Sequence, residues 1–314
     1  MIILGERYHF TDIETQILHK KFNHISILLY KNFSVQENIK QLKNLLDTKE
    51  SKTIVLNTQV AIEPELLDYL TSLELQGIEY ISIENFMEKY LHRVIITERS
   101  FQLEYLPDIY KYTIFQKFQK RIIDYIGILF LLPITLFFIF YSYFRIKKES
   151  PGSIFFHQKR IGQEENEFNC IKLRSMVLDS EKNGPKFAEE NDPRVFPWGE
   201  TMRYTKIDEL VQLWNVWKGD MHLIGPRPER KIWVQEFKKS IQYYTQRHIV
   251  PPGITGLAQI KYHYGRGEID AKAKLEYDLY YIKNWSLKLE FTIIYETILF
   301  ILSNIKKKLS KSSS

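Results

Sequence analysis

The feature that most constrains this chain is an apolar stretch of nineteen residues, 126–144, which contains no charged side chain. As a helix it would rise about 1.5 Å per residue and would barely cross a hydrocarbon core about 30 Å thick. Basic residues flank the stretch on both sides: Lys117, Lys120 and Arg121 precede it, and Arg145, Lys147 and Lys148 follow it. A membrane span usually carries its basic residues on one flank. The stretch therefore predicts a membrane-associated helix whose course is not that of a simple span.

Pro133 lies near the centre of this stretch. A proline inside a helix removes one backbone hydrogen bond and favours a kink. A helix that enters the membrane, bends at Pro133 and leaves on the same side would place both basic flanks among the headgroups of one leaflet. We therefore predict a Pro-bent re-entrant helix, and a spanning helix is the alternative.

A second stretch, residues 203–228, places two adjacent carboxylates, Asp208 and Glu209, beside an apolar run. The run has apolar residues three and four apart, which is typical of an amphipathic helix: Ile207, Leu210, Val211, Trp214 and Trp217. Thr205 followed by Asp208 fits a capping box, so we predict a helix that begins near Thr205 with Asp208 in its first turn. There the carboxylates could merely complement the helix dipole, or they could act chemically.

An arginine between two prolines follows, in the sequence Gly225-Pro226-Arg227-Pro228. The prolines fix the backbone on both sides of Arg227, and a guanidinium fork matches the oxygens of a phosphate. A helix N-terminus, a pre-ordered arginine and carboxylates able to hold a divalent metal are the parts needed to bind a diphosphate. This stretch therefore predicts a phosphate site that includes Asp208, Glu209, Arg227 and a divalent metal.

Two further cations lie on a predicted strand around Lys172 and Arg174. Residues two apart along a strand share one face and are separated by about 6.6 Å, so both side chains could reach neighbouring phosphates. A solvated strand face is the alternative interpretation.

The first third of the chain, residues 1–110, alternates short β-prone runs with helical patterns. This order predicts a small α/β layer with a largely parallel sheet. The segment contains neither a GxGxxG nor a P-loop motif, so it gives no support for a nucleotide site. We interpret residues 1–110 as an interaction or regulatory domain without a catalytic role.

Composition and motif spacing limit the classes of function that the chain could have. The net charge of +6 suggests an anionic partner, which could be nucleic acid, phospholipid or a phosphorylated substrate. The single cysteine, Cys170, excludes an internal disulfide and fits a reducing cytoplasm. The histidines do not have the spacing of a zinc site, and no GxSxG motif supports a serine hydrolase.

From about Lys117 to its end, the chain resembles the monotopic phosphoglycosyl transferases, also called bacterial sugar transferases. Seven landmarks occur in the order expected for that family: KRIIDYIGILFLLP, FFHQKRIG, IKLRSM, NDPRV, DELVQLWNVWKGDMHLIGPRP, PPGITGLAQI and YDLYYIKNWS. Two positions depart from the family pattern: Leu132 stands where a serine is common, and Glu200 stands where a basic residue is usual.

The resemblance implies transfer of a sugar 1-phosphate from a UDP-sugar to polyprenyl (undecaprenyl) phosphate, with release of UMP, at the start of cell-surface glycan synthesis. It implies that Asp208 is a covalent nucleophile and that Glu209 places Mg²⁺ or accepts a proton. Lys172, Arg174, Arg203 and Arg227 would hold phosphates. The implied location is the cytoplasmic face of the bacterial inner membrane. The implied partners are the UDP-sugar, polyprenyl phosphate and membrane lipids, without nucleic acid and with a homodimer as an option.

The complete prediction is an α/β, Rossmann-like N-terminal domain in residues 1–110, a re-entrant membrane helix with its flanks in 111–148, and an α+β catalytic domain in 149–314. Two other functions remain open: a non-catalytic membrane scaffold, and a glycosyltransferase that releases UDP instead of UMP.

Overall fold

The computed structural model describes residues 1–22, 24–29, 34–49, 52–58, 62–96, 108–180, 182, 184, 192–262 and 267–312. Contacts between residues divide the chain into two compact units, Met1–Ile95 and Ile96–Ser314. The first unit contains a four-stranded sheet, and the second contains two sheets of two strands each.

The first unit is a parallel sheet with helices between its strands, as the sequence predicts. Its strands are β1 (Ile2–Leu4), β2 (Ser26–Leu28), β3 (Thr53–Leu56) and β4 (Glu79–Ser82), in the order β2-β1-β3-β4. Its helices are α1 (Asp12–Lys21), α2 (Val35–Lys49), α3 (Pro64–Glu74) and α4 (Ile83–Leu91). Alternate residues of β1 enter two cores: Ile2 and Leu4 pack with Leu42, whereas Ile3 packs with Phe86. The helices therefore cover both faces of the sheet, which explains its continuously apolar strands.

The first described helix of the second unit is the 36-residue α5 (Ile114–Glu149), which contains Pro133. Thr113 and Gln116 form a capping box at its start, and the Thr135 hydroxyl donates to the Leu131 carbonyl at 2.8 Å in the turn around the proline. Among the described residues α5 is the one helix long and apolar enough to cross a membrane, and only 11% of its most apolar window is buried.

Both ends of α5 contact the rest of the second unit. Near the start, Lys120 donates to the Ile224 carbonyl at 2.6 Å, and Asp124 accepts from the Leu223 amide at 2.9 Å. Near the end, the Trp198 indole donates to Ser142 at 3.1 Å, and the Trp198 amide donates to Glu149 at 2.6 Å. The two halves of the helix thus dock on one folded body.

An antiparallel hairpin follows, formed by β5 (Phe155–Ile161) and β6 (Glu167–Leu173). Helix α6 (Pro197–Thr205), a 3-10 helix (Ile207–Gln212) and helix α7 (Leu213–Lys218) come next, and β6 packs on the 3-10 helix. A short parallel pair joins β7 (His222–Ile224) to β8 (Gly253–Thr255). The remaining described α-helices are α8 (Lys231–Ser240), α9 (Leu257–Lys261), α10 (Glu268–Lys283) and α11 (Leu287–Ser312), and two further 3-10 helices are Gln163–Glu165 and Tyr244–Ile249.

The predicted helix start near Thr205 is wrong. Helix α6 ends at this residue, and the Thr205 hydroxyl donates to the Thr201 carbonyl at 2.8 Å instead of capping a new helix. Lys206 adopts a left-handed conformation with φ 63°, and the chain continues as a 3-10 helix that carries Asp208. The predicted apolar stripe is also only partly buried, because Trp214 and Trp217 are 56% and 57% exposed and stack on each other.

Candidate active site

Asp208 and Glu209 lie side by side in the 3-10 helix and are only 6% and 5% exposed. Within the described part of the chain, the Asp208 Oδ1 atom is buried without a hydrogen-bond partner. Burial raises the pKa of Asp208 to about 6, and the neighbouring charge of Glu209 acts in the same direction. A buried, unpartnered carboxylate oxygen is costly unless a ligand uses it, so Asp208 is a strong candidate for a functional group.

Glu209 is instead held by two cations. Its Oε1 atom accepts from Lys172 Nζ at 2.6 Å and from the Arg227 guanidinium at 2.7 Å, and its Oε2 atom accepts from Arg227 at 3.3 Å. Burial alone would raise the pKa of Glu209, but the charges of Arg227 and Lys172 outweigh it and hold this pKa well below its usual value. The two carboxylates therefore differ: Glu209 is a fixed anion, and Asp208 has the higher pKa.

The loop that carries Arg227 is fixed by its backbone. The Gly225 amide donates to the Thr255 carbonyl at 2.9 Å, and the Gly253 amide donates to the Pro226 carbonyl at 2.9 Å. The two segments are so close that a Cβ atom at Gly253 would lie 2.0 Å from the Gly225 nitrogen. Only glycine allows this approach, so the PPGITG segment is the support on which the GPRP loop is built.

A buried arginine, Arg247, holds the same loop in place. It donates to the Arg227 carbonyl at 2.9 Å and to the Tyr244 hydroxyl at 2.9 Å. It also forms an ion pair with Asp278 of α10, with 2.8 Å between nitrogen and oxygen. Arg160 donates to the next carbonyl, that of Pro228, at 3.1 Å. The position of the Arg227 guanidinium is thus determined by contacts that reach α10.

Two more cations border Asp208. The charges of Lys206 and Arg203, together with that of Lys172, act against the rise in the pKa of Asp208. Neither the Arg203 nor the Lys206 side chain forms a hydrogen bond or ion pair with another part of the chain that the structure describes. These two cations are therefore available to an anionic ligand, whereas Lys172 and Arg227 already contact Glu209.

Arg174 and Lys172 have different partners in the structure, since Lys172 contacts Glu209 and Arg174 does not. The Arg174 guanidinium donates to the Ser153 carbonyl at 2.6 Å, to the Ser150 hydroxyl at 2.6 Å and to the Ser150 carbonyl. It is buried and secures the turn between α5 and β5. Its predicted phosphate contact stays a prediction, although Arg174 does line the cleft described below.

The structure describes some, but not all, residues of the predicted NDPRV landmark and its surroundings. Asp192 and Arg194 of the NDPRV landmark form an ion pair at 2.6 Å, whereas Asn191 lies outside the described residues. Glu200 lies on α6 and lines the cleft.

These side chains surround a cleft of about 1850 Å³. Its lining includes Lys172, Arg203, Asp208, Glu209 and Arg227, and it also includes apolar residues of α5 and α11. Sequence reasoning missed Lys206, Arg247, Asp278 and Gln259. Arg247, Asp278 and Gln259 act through contacts between positions distant in sequence. Gln259 and Asp278 lie within the landmarks PPGITGLAQI and YDLYYIKNWS, but those landmarks do not show which residues they contact.

A metal can be tested against these donors. Among the described residues no group of three or more His, Cys, Asp or Glu side chains could hold a metal ion. Mg²⁺, however, is commonly bound by one or two carboxylates together with substrate phosphates and water. The unpartnered Asp208 Oδ1 suits such an ion. The Glu209 oxygens suit it only if they share their contacts with Arg227 and Lys172.

A buried carboxylate pair among four cations, in a cleft that apolar residues of a long apolar helix also line, has the chemistry of a site for a phosphorylated ligand at a membrane. The family model "Bacterial sugar transferase" matches residues 115–304, which is more than half of the chain. The chain belongs to this family, as the seven landmarks predict.

Curated relatives agree with this membership. One is the UDP-N-acetylgalactosamine-undecaprenyl-phosphate N-acetylgalactosaminephosphotransferase of Aeromonas hydrophila, 43% identical over 186 residues, or 59% of this chain and 44% of the relative. Another is the UDP-glucose:undecaprenyl-phosphate glucose-1-phosphate transferase of Xanthomonas campestris pv. campestris, 38% identical over 189 residues, or 59% of this chain and 38% of the relative. The undecaprenyl-phosphate galactose phosphotransferase of Salmonella typhimurium is 33% identical over 196 residues, or 58% of this chain and 40% of the relative. The matches thus span less than half of each of these relatives.

Proposed function

We propose that this protein transfers a sugar 1-phosphate from a UDP-sugar to polyprenyl (undecaprenyl) phosphate and releases UMP. The proposal rests on the different environments of the two neighbouring carboxylates. Asp208 has a buried oxygen without a partner, whereas Glu209 is fixed by Lys172 and Arg227. The names of the relatives given above describe reactions of this type.

In the first step, an oxygen of Asp208 forms a bond to the β-phosphorus of the UDP-sugar while the bond between that phosphorus and the bridging oxygen breaks. UMP leaves with the bonding electron pair, and a phosphosugar-aspartyl intermediate remains. In the second step, a phosphate oxygen of polyprenyl phosphate attacks the same phosphorus and releases the Asp208 carboxylate. Covalent catalysis of this kind divides one difficult displacement into two easier ones.

The surrounding residues have separate roles. Adjacent residues of a helix point in different directions, so Asp208 and Glu209 do not address one phosphorus symmetrically. Glu209 orients Arg227 and Lys172, whose remaining donors, with those of Arg203, bind the phosphate oxygens. Fixed cations aimed at the charge that develops in the transition state are a large source of catalysis.

Mg²⁺ is part of the proposal as a cofactor held by Asp208, with Glu209 and the diphosphate as further oxygen donors. When bound, it neutralises charge on the diphosphate oxygens.

The proposal places α5 in one leaflet at the cytoplasmic face of the bacterial inner membrane, with a re-entrant course bent at Pro133. The contacts of Lys120 and Asp124 at one end, and of Ser142 and Glu149 at the other, support this course. A folded body that lies on one side of the membrane cannot contact both ends of a helix that crosses a hydrocarbon core about 30 Å thick. The alternating apolar cores around the parallel strands of the first unit support a Rossmann-like regulatory or interaction module.

The decisive experiment is a nucleotide-release assay of purified protein with Mg²⁺, undecaprenyl phosphate and, in parallel, UDP-N-acetylgalactosamine, UDP-galactose and UDP-glucose. We expect UMP with at least one donor, and Asp208→Asn should abolish its release while membrane binding persists. Release of UDP would support a direct glycosyltransferase instead. A wild-type protein that binds membranes but releases neither nucleotide would support the scaffold.

A further inference from the structure

Gln259 lies on the short helix α9, which directly follows strand β8. Gly256, the residue before this helix, packs so closely on the GPRP loop that a Cβ atom there would lie 2.2 Å from the Gly225 carbonyl oxygen. At the other end of α9, Lys261 donates to Glu296 of α11 at 2.8 Å. Contacts at both ends therefore fix α9, and with it Gln259, relative to the GPRP loop.

The orientation of the Gln259 amide follows from its neighbour. Its Oε1 atom accepts from the Arg227 guanidinium at 3.3 Å. A guanidinium carries only donors, so the amide oxygen faces Arg227 and the amide nitrogen points away from it. Within the described part of the chain this nitrogen, Nε2, is buried and has no hydrogen-bond partner. Gln259 therefore holds an unused donor in a fixed direction.

The unused donor of Gln259 has a counterpart in Asp208. Both residues line the cleft, and the buried Oδ1 atom of Asp208 is an acceptor without a partner among the described residues. A buried polar atom without a partner destabilises the fold unless a ligand supplies the missing hydrogen bond. Arg227 contacts Glu209 at 2.7 Å and Gln259 at 3.3 Å, and Glu209 is the neighbour of Asp208. The cleft thus contains an unused acceptor and an unused donor in residues that one arginine connects.

We propose that the Gln259 amide donates a hydrogen bond to a non-bridging oxygen of the β-phosphoryl group, which is the group transferred to the lipid. The assignment rests on the proposed function, because it names a further contact of that substrate. Asp208 attacks this phosphorus, and the neighbouring Glu209 holds Arg227, whose other partner is Gln259. Arg227 and Gln259 therefore offer a charged donor and a neutral donor to the same phosphoryl group. Donors fixed before the reaction stabilise the charge that develops in its transition state.

The two-step reaction gives this contact a kinetic signature. The β-phosphoryl group takes part in both steps, so a hydrogen bond to its oxygens acts on both. A contact with the α-phosphate of the departing UMP would act on the first step alone, and a contact with the acceptor phosphate would act on the second step alone. A contact with a sugar hydroxyl would instead affect different UDP-sugars unequally. The rates of both steps with several UDP-sugars therefore separate these contacts.

Two variants separate the donor of Gln259 from its acceptor. Gln259→Glu keeps an oxygen that accepts from Arg227, but at neutral pH it has no group that donates. Gln259→Met removes both groups and adds no charge. Gln158→Glu is the control for the added carboxylate, because Gln158 of strand β5 also lines the cleft and no described hydrogen bond joins it to Arg227.

We expect Gln259→Glu and Gln259→Met to lower the rates of both steps about 100-fold, the loss typical of one transition-state donor. The first step is followed as the burst of UMP without acceptor, and the second as transfer from the pre-formed intermediate to undecaprenyl phosphate. The factor should be equal for every UDP-sugar that wild type uses. Gln158→Glu should stay within about threefold of wild type, well short of that loss.

Three results would overturn the phosphoryl contact. A rate near that of wild type in Gln259→Glu would limit Gln259 to holding Arg227, and such a rate in Gln259→Met would leave the side chain without a role in the reaction. A loss confined to one step would assign the hydrogen bond to UMP or to the acceptor. A loss that differs between UDP-sugars would assign it to the sugar.

Thermal unfolding distinguishes this contact from a structural role. Gln259→Met removes a buried donor without a partner in the described structure, so its Tm should not fall below that of wild type. A fall in Tm that accompanies the fall in rate would make Gln259 a support of the fold and would overturn the proposal.

A binding measurement separates the contact from the reaction. In titration calorimetry with Mg²⁺, inorganic pyrophosphate should bind Gln259→Met about tenfold more weakly than wild type, the effect of one hydrogen bond to a charged group. If this difference holds while wild type releases no UMP, the contact stands and the proposed function fails. If wild type and both Gln259 variants release UMP alike, the proposed function stands and the contact fails. Pyrophosphate that binds both proteins equally, or neither of them, would also overturn the contact.

Discussion

The Arg227 guanidinium lies 2.7 Å from the Glu209 carboxylate and joins two segments that are eighteen residues apart in sequence. Because Lys172 also contacts Glu209, this carboxylate is neutralised within the protein before any substrate binds. Asp208, the next residue along the chain, keeps a buried oxygen without a partner in the described structure. The two carboxylates thus have different roles: Glu209 positions the cations, and Asp208 is the residue that can react.

The fork of Arg227 should be essential. Arg227→Lys keeps the charge but lacks the planar guanidinium fork, which contacts Glu209 and Gln259 together. We therefore expect kcat for UMP release to fall about 100-fold. Lys159→Ala, which removes an exposed cation of β5, is the control and should have no effect. Steady-state kinetics with a saturating UDP-sugar provide the measurement. A kcat of the lysine variant within about threefold of wild type, well short of the usual loss for a transition-state donor, would contradict this role for the fork.

The rate of the first step should fall in acid. The pKa of Asp208 is raised to about 6, so the nucleophilic carboxylate is lost as the pH falls through this value. The burst of UMP in the absence of acceptor is the proper measurement, because polyprenyl phosphate itself titrates near pH 6. Lys206→Met removes a cation that lowers the pKa of Asp208 and should move the acid limb to higher pH. Lys231→Met, which removes a surface cation outside the site, should not move it. A burst that is independent of pH between about 5 and 8 would count against Asp208, whose pKa lies inside that range.

The same shift predicts that Asp208→Asn is more stable than wild type at neutral pH. In the folded state the proton binds more tightly than in the unfolded state, whose Asp pKa is near 3.8. The stabilisation from this proton is complete below about pH 4 and is lost as the pH rises through about 6. The asparagine of the variant carries no charge at any pH, so the variant does not lose this stabilisation. Above pH 6 its unfolding free energy should therefore exceed that of wild type by about 1 to 3 kcal/mol.

Thermal unfolding of Asp208→Asn and wild type at pH 4.5 and pH 7.5 tests this prediction. The difference in Tm should be larger at the higher pH. An equal difference at both values would mean that the buried charge of Asp208 does not destabilise the fold.

Local patterns predicted the elements whose formation depends on neighbouring residues. The strand-helix alternation of residues 1–110 gave a parallel sheet, and the uncharged run around Pro133 lies in one long helix. The spacing of Thr205 and Asp208 led to a wrong prediction of a helix start, because a capping box is recognised in a sequence by spacing alone. In the structure Thr205 closes the preceding helix, and the left-handed Lys206 separates it from Asp208.

The supports of the site could not be read from the sequence. Arg247 and Asp278 are 31 positions apart and meet only because α10 packs on the 3-10 helix Tyr244–Ile249. Asp278 lies in the landmark YDLYYIKNWS, but nothing in the local sequence identifies Arg247 as its partner. Lys172, Glu209 and Arg227 were recognisable individually, but their mutual contacts required the tertiary fold.

Arg247 should affect stability and activity in separable ways. Arg247→Ala leaves Asp278 buried without its partner and should destabilise the fold by about 3 to 5 kcal/mol. The double variant Arg247→Met with Asp278→Leu replaces the pair by apolar groups and should recover most of that stability. It still lacks the donor to the Arg227 carbonyl, so kcat should remain reduced by about tenfold, the value of one charged hydrogen bond. Full recovery of kcat in the double variant would limit Arg247 to a structural role.

The course of α5 can be tested with single cysteines. The only cysteine of the chain, Cys170, is buried, so wild type should not react with a membrane-impermeant maleimide and serves as the control. Lys117→Cys and Lys148→Cys place exposed thiols near the two ends of α5. Because both ends dock on one folded body, both variants should be labelled in inside-out vesicles and neither should be labelled in intact cells. Labelling of one variant in each preparation would establish a spanning helix and would require the two ends of α5 to lie on opposite sides of the membrane.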